Sequence, residues 1–323
     1  MITPEESRAI YYVRPLSMMA IVLCHLCQSY GNRWAFIFNA GVQVFLVLSG
    51  YLYGKKDIVD WKAWGMGRIK RVYVPVFILL LVALPFYLFF ARDSFNAVGY
   101  SINFSSLQGF PFTLGGVTLV PGLRHLWFIT AIMLAYLSTP LLQYLKKYSD
   151  LLLPPLILGV LLCYSFVPMR YVFILSWIYL YAIGYLLANV RWRLVYEWGA
   201  LVVFVLITFF VSWDHILSYF NPLGRLFHDV AGVFLVVWGI KLFSVSSVKC
   251  VPPFVKILDK YSFDIFLIHY LLLTGPFSMA QLTPNRAVNI TLFILMTAAL
   301  TYLFVCLQNL LKKKSFLYED KPH

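Results

Sequence analysis

Residues 10–30 read IYYVRPLSMMAIVLCHLCQSY, and Arg14 and His25 stand inside this apolar stretch. At ~100° per residue the eleven steps between them come to about 1100°, three turns plus about 20°. Both side chains therefore share one face of a helix, about 16 Å apart along its axis. A charged group and a titratable one on one stripe of a membrane helix are costly, and such residues mark a polar path through a protein. The spacing predicts a cationic end near one membrane surface and a proton-accepting imidazole near the other. Burial disfavours the imidazolium, so a neutral His25 is expected.

The rest of the chain agrees with a membrane reading. It has 323 residues, 61% hydrophobic and only 12% charged, where a soluble domain is nearer 25% charged. Apolar stretches of about twenty residues recur from end to end. No small-residue cleavage site stands out behind the charged leader (Glu5, Glu6, Arg8), so a retained first span is expected. Five cysteines, Cys24, Cys27, Cys163, Cys250 and Cys306, give neither a disulfide framework nor a metal site.

The periodicity and length of the apolar runs predict an all-α membrane protein of about ten transmembrane helices. They lie near 10–30, 34–54, 73–91, 125–145, 151–168, 171–190, 195–213, 228–246, 261–281 and 288–311. With both termini cytoplasmic, 20 of the 26 Lys and Arg fall on the inner side, Lys249 and Lys321 among them. The other 6, Arg33, Arg92, Arg124, Arg170, Arg225 and Arg286, fall outside. This is the positive-inside asymmetry, and it accounts for the net charge of +13 without any nucleic acid. Two long loops are predicted, a basic aromatic inner one at 55–72 and an outer one at 92–124 rich in Gly, Ser, Phe and Pro. No internal repeat stands out and no appended soluble domain is expected, so residues 1–323 read as one polytopic domain.

Candidate site residues follow from position. Gln28 and Ser29 share the face of His25. Arg14, near the inner surface, either snorkels to lipid headgroups or meets a phosphate. Arg68, Lys70 and Arg71 lie beside Trp61 and Trp64; on the residues alone they read first as topology and anionic-lipid contact. In span 2, Gly41, Phe45 and Ser49 repeat every fourth residue and Gly50 follows, which predicts close helix packing. Gln43 and Ser49 are its polar groups that can line a cavity. Span 4 opens with Arg124, His125 and Trp127, a belt aromatic or a sugar-binding mouth. In span 9, Asp264 and His269 are five apart, about 140° around the helix, so they do not share a face. Each is expected to meet span 1 or span 4 separately. His215, His228 and Asp229 receive no role.

Several of these segments resemble the acyltransferase 3 family of bacterial integral membrane O-acyltransferases, in order. They are R-x10-H at Arg14 and His25, VFLVLSGYL at 44–52, RIKRVYVP at 68–75, HLWF at 125–128 and YSFDIFLIH at 261–269. Val44 and Asp264 depart from the family pattern. The resemblance implies transfer of an acyl group, usually acetyl, from cytoplasmic acyl-CoA across the inner membrane to a hydroxyl of a cell-surface or lipid-linked glycan. Acetyl-CoA is then a cosubstrate, and no permanently bound cofactor is expected. His25 becomes the catalytic base or acyl carrier. Arg14, Arg68, Arg71 and Lys70 become phosphate ligands for the donor, which reverses the plainer reading of the inner cluster. Gln28, Gln43, Ser49, Arg124, His125, Trp127, Asp264 and His269 are left as acceptor or cavity-lining candidates. The rivals are a polysaccharide or lipid-linked-sugar flippase, and a membrane protein whose polar groups only pack. The absence of an inverted-repeat signature and the one-sided phosphate-suited residues favour the enzyme.

Overall fold

A computed structural model describes residues 2–191, 193–218, 221–245 and 251–314. Cys250, Lys249 and Lys321 lie outside the described residues. Among the described residues there is no strand. The helices are α1 Pro4–Ser29, α2 Ala40–Gly54, α3 Trp61–Phe90, α4 Ala97–Phe104, α5 Gly109–Leu114, α6 Trp127–Leu137 and α7 Thr139–Leu145. They continue with α8 Ser149–Phe166, α9 Met169–Leu187, α10 Arg193–Phe210, α11 Trp213–Ile216, α12 Pro222–Val245, α13 Pro253–His269 and α14 Arg286–Lys314.

Eight helical runs are long and apolar enough to cross a bilayer. Two differences separate that count from the predicted ten. The segments expected at 125–145 and 151–168 form one helical run, Arg124–Phe166, of 43 residues. Within it the α-helix gives way to a turn at Ser138 and to a 3-10 turn at Lys146–Tyr148. The ninth segment is shifted: α13 starts at Pro253 and stops at His269, 17 residues in all, rather than covering 261–281. The stop has a local cause. A 3-10 turn at Tyr270–Leu272 leads to Gly275, whose φ is +80°, and Pro276 follows. At the early start Pro252 holds the N-cap position in an extended conformation and Pro253 opens the first turn, where its missing N–H costs nothing.

The predicted inner loop is also largely helix. Asp60 caps α3 by accepting the Ala63 N–H at 2.9 Å, so Trp61 to Arg71 extend the third span by three turns. The predicted outer loop carries α4 and α5. Gly109 of α5 donates its N–H to Thr130 Oγ1 at 2.9 Å, which ties that loop to α6.

α1 shows how the sequence sets an element. Thr3 and Glu6 form a reciprocal capping box, each accepting the other's backbone N–H at 3.2 Å. Gly31, at φ +68°, closes the other end. Its N–H donates to Gln28 O and that of Asn32 to Cys27 O.

α2 is the central helix, packed on α1, α9 and α12. A Cβ on Gly50 would run into the Tyr181 backbone, and one on Gly184 into the Val47 backbone. Small residues at this crossing let α2 and α9 touch main chain to main chain. α10 is peripheral and exposes Val202, Phe209 and Phe210. With α8 and α14 it presents an apolar surface far larger than a water-soluble monomer carries.

Candidate active site

Two contacts join α1 to α13, and they use the two residues that decided the sequence reading. Arg14 Nη1 lies 3.0 Å from both Oδ1 and Oδ2 of Asp259. One helical interval further along, His25 Nδ1 lies 2.8 Å from His269 Nε2. On α13 the two partners are ten residues apart, about 15 Å, close to the 16 Å that separates Arg14 from His25. The two helices therefore run parallel with two matched rungs, one ionic and one imidazole.

The imidazole rung fixes its own tautomers. His269 Nδ1 is 2.8 Å from Phe266 O and 3.1 Å from Ile265 O. A carbonyl only accepts, so Nδ1 of His269 carries the hydrogen. With both rings neutral, His269 Nε2 has the lone pair and must accept from His25 Nδ1–H. His25 Nε2 is left as the basic nitrogen, and it makes no hydrogen bond among the described residues. The ring is steadied by Tyr270, edge-on at 4.7 Å.

His25 lines a cavity of about 330 Å³, together with Gln28, Asn39, Arg124, His125, Trp127 and several apolar side chains. Four of the predicted cavity residues, Gln28, Arg124, His125 and Trp127, are therefore gathered beside His25. Trp127 lines the cavity with its ring stacked on Phe112 (5.5 Å) and Trp177 (5.6 Å). His125 is 2% exposed. Neither of its ring nitrogens makes a well-formed hydrogen bond, only loose approaches to the Phe266 and Leu267 backbone. Its ring stacks on Tyr270 at 4.7 Å and meets His269 at 5.6 Å. Arg124 is exposed and makes no hydrogen bond or ion pair among the described residues.

The other candidates are placed elsewhere. Gln43 is fully buried and does not line the cavity. With its amide set to satisfy both neighbours, it donates to Asn39 O at 2.7 Å and accepts from Arg225 Nη1 at 3.1 Å. It thereby holds up Asn39, which does line the cavity. Ser49 is partly buried and outside the lining. Asp264 meets neither span 1 nor span 4. It turns to α14 and accepts from Gln308 Nε2 at 2.7 Å, the face opposite His269, as a 140° offset requires. His269 is behind His25, not in the wall.

The sequence reading missed three groups. Asp259 was not among the candidates, since it precedes the expected start of the ninth span at 261. Arg225 and Asp229 form a buried ion pair at 3.3 Å behind the cavity wall. Arg225 also donates to Ser176 Oγ at 2.7 Å, and Asp229 accepts from Tyr164 (2.6 Å) and from Tyr179. The signal was present: an Arg and an Asp four apart in an apolar helix form a pair by spacing alone.

At the other end, Arg68 donates to the Tyr53 hydroxyl and lies over that ring. Arg71 is near enough to interact with Asp259, Tyr53 and Tyr136. Lys70, partly buried, sits between them on α3. Tyr53, Trp61, Trp64 and Tyr136 pack edge to face around the cluster. Arg14 therefore holds Asp259 and Arg68 holds Tyr53, with the Arg71 charge felt by both. The expected open path between the two ends is not continuous here. The cavity lining on α1 runs from Gln28 through His25 to Ile21 and includes none of the three arginines. Below it Ser17 and Met18 are buried.

The family model for acyltransferase 3, described as an acyltransferase domain, matches residues 8–307. No significant match is found to a curated protein or to a solved structure.

Proposed function

Because the chain belongs to the acyltransferase 3 family, whose members carry out acyl transfer in membranes, we propose that it moves an acyl group, acetyl by first choice, from cytoplasmic acyl-CoA to a hydroxyl of a cell-surface or lipid-linked glycan on the far side of a bacterial inner membrane. The single observation that carries this reading is the His25–His269 pair: its tautomers leave one basic nitrogen, His25 Nε2, on a residue that lines a cavity.

The chemistry follows from that nitrogen. His25 Nε2 takes the proton from the acceptor hydroxyl as the oxygen attacks the thioester carbon. The tetrahedral intermediate then expels the CoA thiolate, which takes the proton from His25, and the ester remains on the acceptor. In the covalent variant, Nε2 itself attacks the thioester carbon and the C–S bond breaks to release the CoA thiolate; the acceptor hydroxyl then attacks the acyl carbon, its proton goes to that thiolate, and the C–N bond breaks to free His25. In both, His269 holds the ring so that the basic nitrogen faces the reactants. The phosphates of the donor are suited to Arg14, Arg68, Arg71 and Lys70, since guanidinium groups pair with phosphate through paired hydrogen bonds.

The topology is part of the same proposal. A 43-residue run is about 65 Å long, twice a bilayer core, and Lys146 and Lys147 lie at its middle. Counting it as two crossings, and α13 as one, restores ten spans, cytoplasmic termini and one polytopic domain. The arginine cluster then faces the cytoplasm and the His25 cavity opens outward. The test is transfer of labelled acetyl from acetyl-CoA to envelope glycan in membranes carrying His25→Ala at normal abundance. Transfer should vanish into background, and undiminished transfer would falsify the reading.

A further inference from the structure

The cavity beside His25 holds a positive charge that the protein itself does not answer. Arg33 pairs with Asp214 at 2.7 Å, and Arg225 pairs with Asp229 and Gln43. Arg124 alone among these three has neither an acid nor a hydrogen-bond acceptor among the described residues, and it lines the cavity. No Asp or Glu lines that cavity; besides Arg124 the polar residues in the wall are Gln28, Asn39, His25, His125, Trp127 and Tyr270, all neutral. A second feature points the same way. The 11-residue helix α6 starts at Trp127 without a side-chain cap, and residues 124, 125, 127 and 128 at its start all line the cavity. The positive end of its dipole is therefore turned to the same space. His125, buried with both ring nitrogens free of well-formed bonds, adds an unspent donor there.

A neutral polyol would leave this field without a partner. An anion would meet a guanidinium, amide donors and a helix start. We propose that the acceptor glycan carries a negative charge, a carboxylate or a phosphate, which Arg124 holds while a neighbouring hydroxyl is presented to His25. This rests on the acyl-transfer reading and narrows it to acidic acceptors.

The experiment is a binding measurement on full-length protein in zwitterionic nanodiscs, without acyl donor. Three probes are compared: an oligogalacturonate, its neutral methyl ester, and a polyprenyl-phosphate-linked sugar. At least one acidic probe should bind about tenfold or more tightly than the ester, the size of a lost charge-assisted hydrogen bond. Which acidic probe does so identifies the charge as carboxylate or phosphate. Arg124→Ala and Arg124→Glu should erase that preference, Arg124→Lys should keep part of it, and ester binding should not move. Arg124 is exposed and makes no internal bond, so its replacement leaves packing intact. Equal affinity for all three probes, or a preference that survives Arg124→Glu, overturns the inference. No acid preference in the unmutated protein, with His25-dependent transfer intact, overturns this inference alone. An intact preference with His25-independent transfer overturns the acyl-transfer reading alone.

Discussion

The two rungs between α1 and α13 have the same geometry and opposite chemistry. Arg14 and Asp259 satisfy each other, with 27% and 8% of their side chains exposed. His25 and His269 do not: their bond uses one nitrogen of His25 and leaves the other to the cavity. A pair that is complete suits a structural or gripping role, because a ligand has to compete with the carboxylate for the guanidinium. A pair that is incomplete suits chemistry, because its remaining group has no other use. The ionic rung sits within the arginine cluster on the cytoplasmic side of the proposed topology. The imidazole rung sits in the cavity.

The largest break in this comparison is His25→Ala. Removing the base should lower transfer by ~10²–10⁴ while thermal unfolding of the purified protein stays near wild type. His269→Ala comes next. It removes the acceptor that holds His25 Nδ1–H, so kcat should fall on the order of 10- to 100-fold with little change in KM for acyl-CoA, and His269→Gln, which keeps an accepting oxygen, should recover part. Equal kcat in the alanine variant would mean that His269 only packs.

The ionic rung should respond in stability first. Arg14→Ala leaves Asp259 largely buried without its cation and should cost about 1–3 kcal/mol, read as a lower Tm; Arg14→Ala with Asp259→Asn should recover most of it. If Arg14 also touches donor phosphate, the double variant will regain Tm but not the KM for acyl-CoA. A double variant that regains both makes the rung purely structural. Away from both rungs, Gly184→Ala forces a methyl into the Val47 backbone and should destabilise by about 1–3 kcal/mol, with kcat retained in the folded fraction.

The sequence reading was most accurate where one element decided the matter. The shared face of Arg14 and His25, the glycine packing of α2 and the opposed faces of Asp264 and His269 all follow from 3.6 residues per turn. It was least accurate at helix ends. Charged residues at 55–71 and 253–260 resemble loop by composition, yet Asp60 caps α3 so that 61–71 is helical, and 253–260 is the first part of α13, from which Asp259 answers Arg14. Trp127 was left open between a belt aromatic and a sugar-binding mouth, and a sequence does not show that Phe112 and Trp177 pack against its ring.

By itself the amino-acid sequence determined an apolar, all-helical chain and the residue in α1 with a basic nitrogen, since composition and helical period act within one segment. Only the tertiary structure decided which segments those residues meet. It put Asp259 and His269 on α13, placed Gln43 behind the wall and left Arg124 facing the cavity. Partner choice depends on how helices pack in three dimensions, and pairs some 245 residues apart in the chain leave no trace in local periodicity.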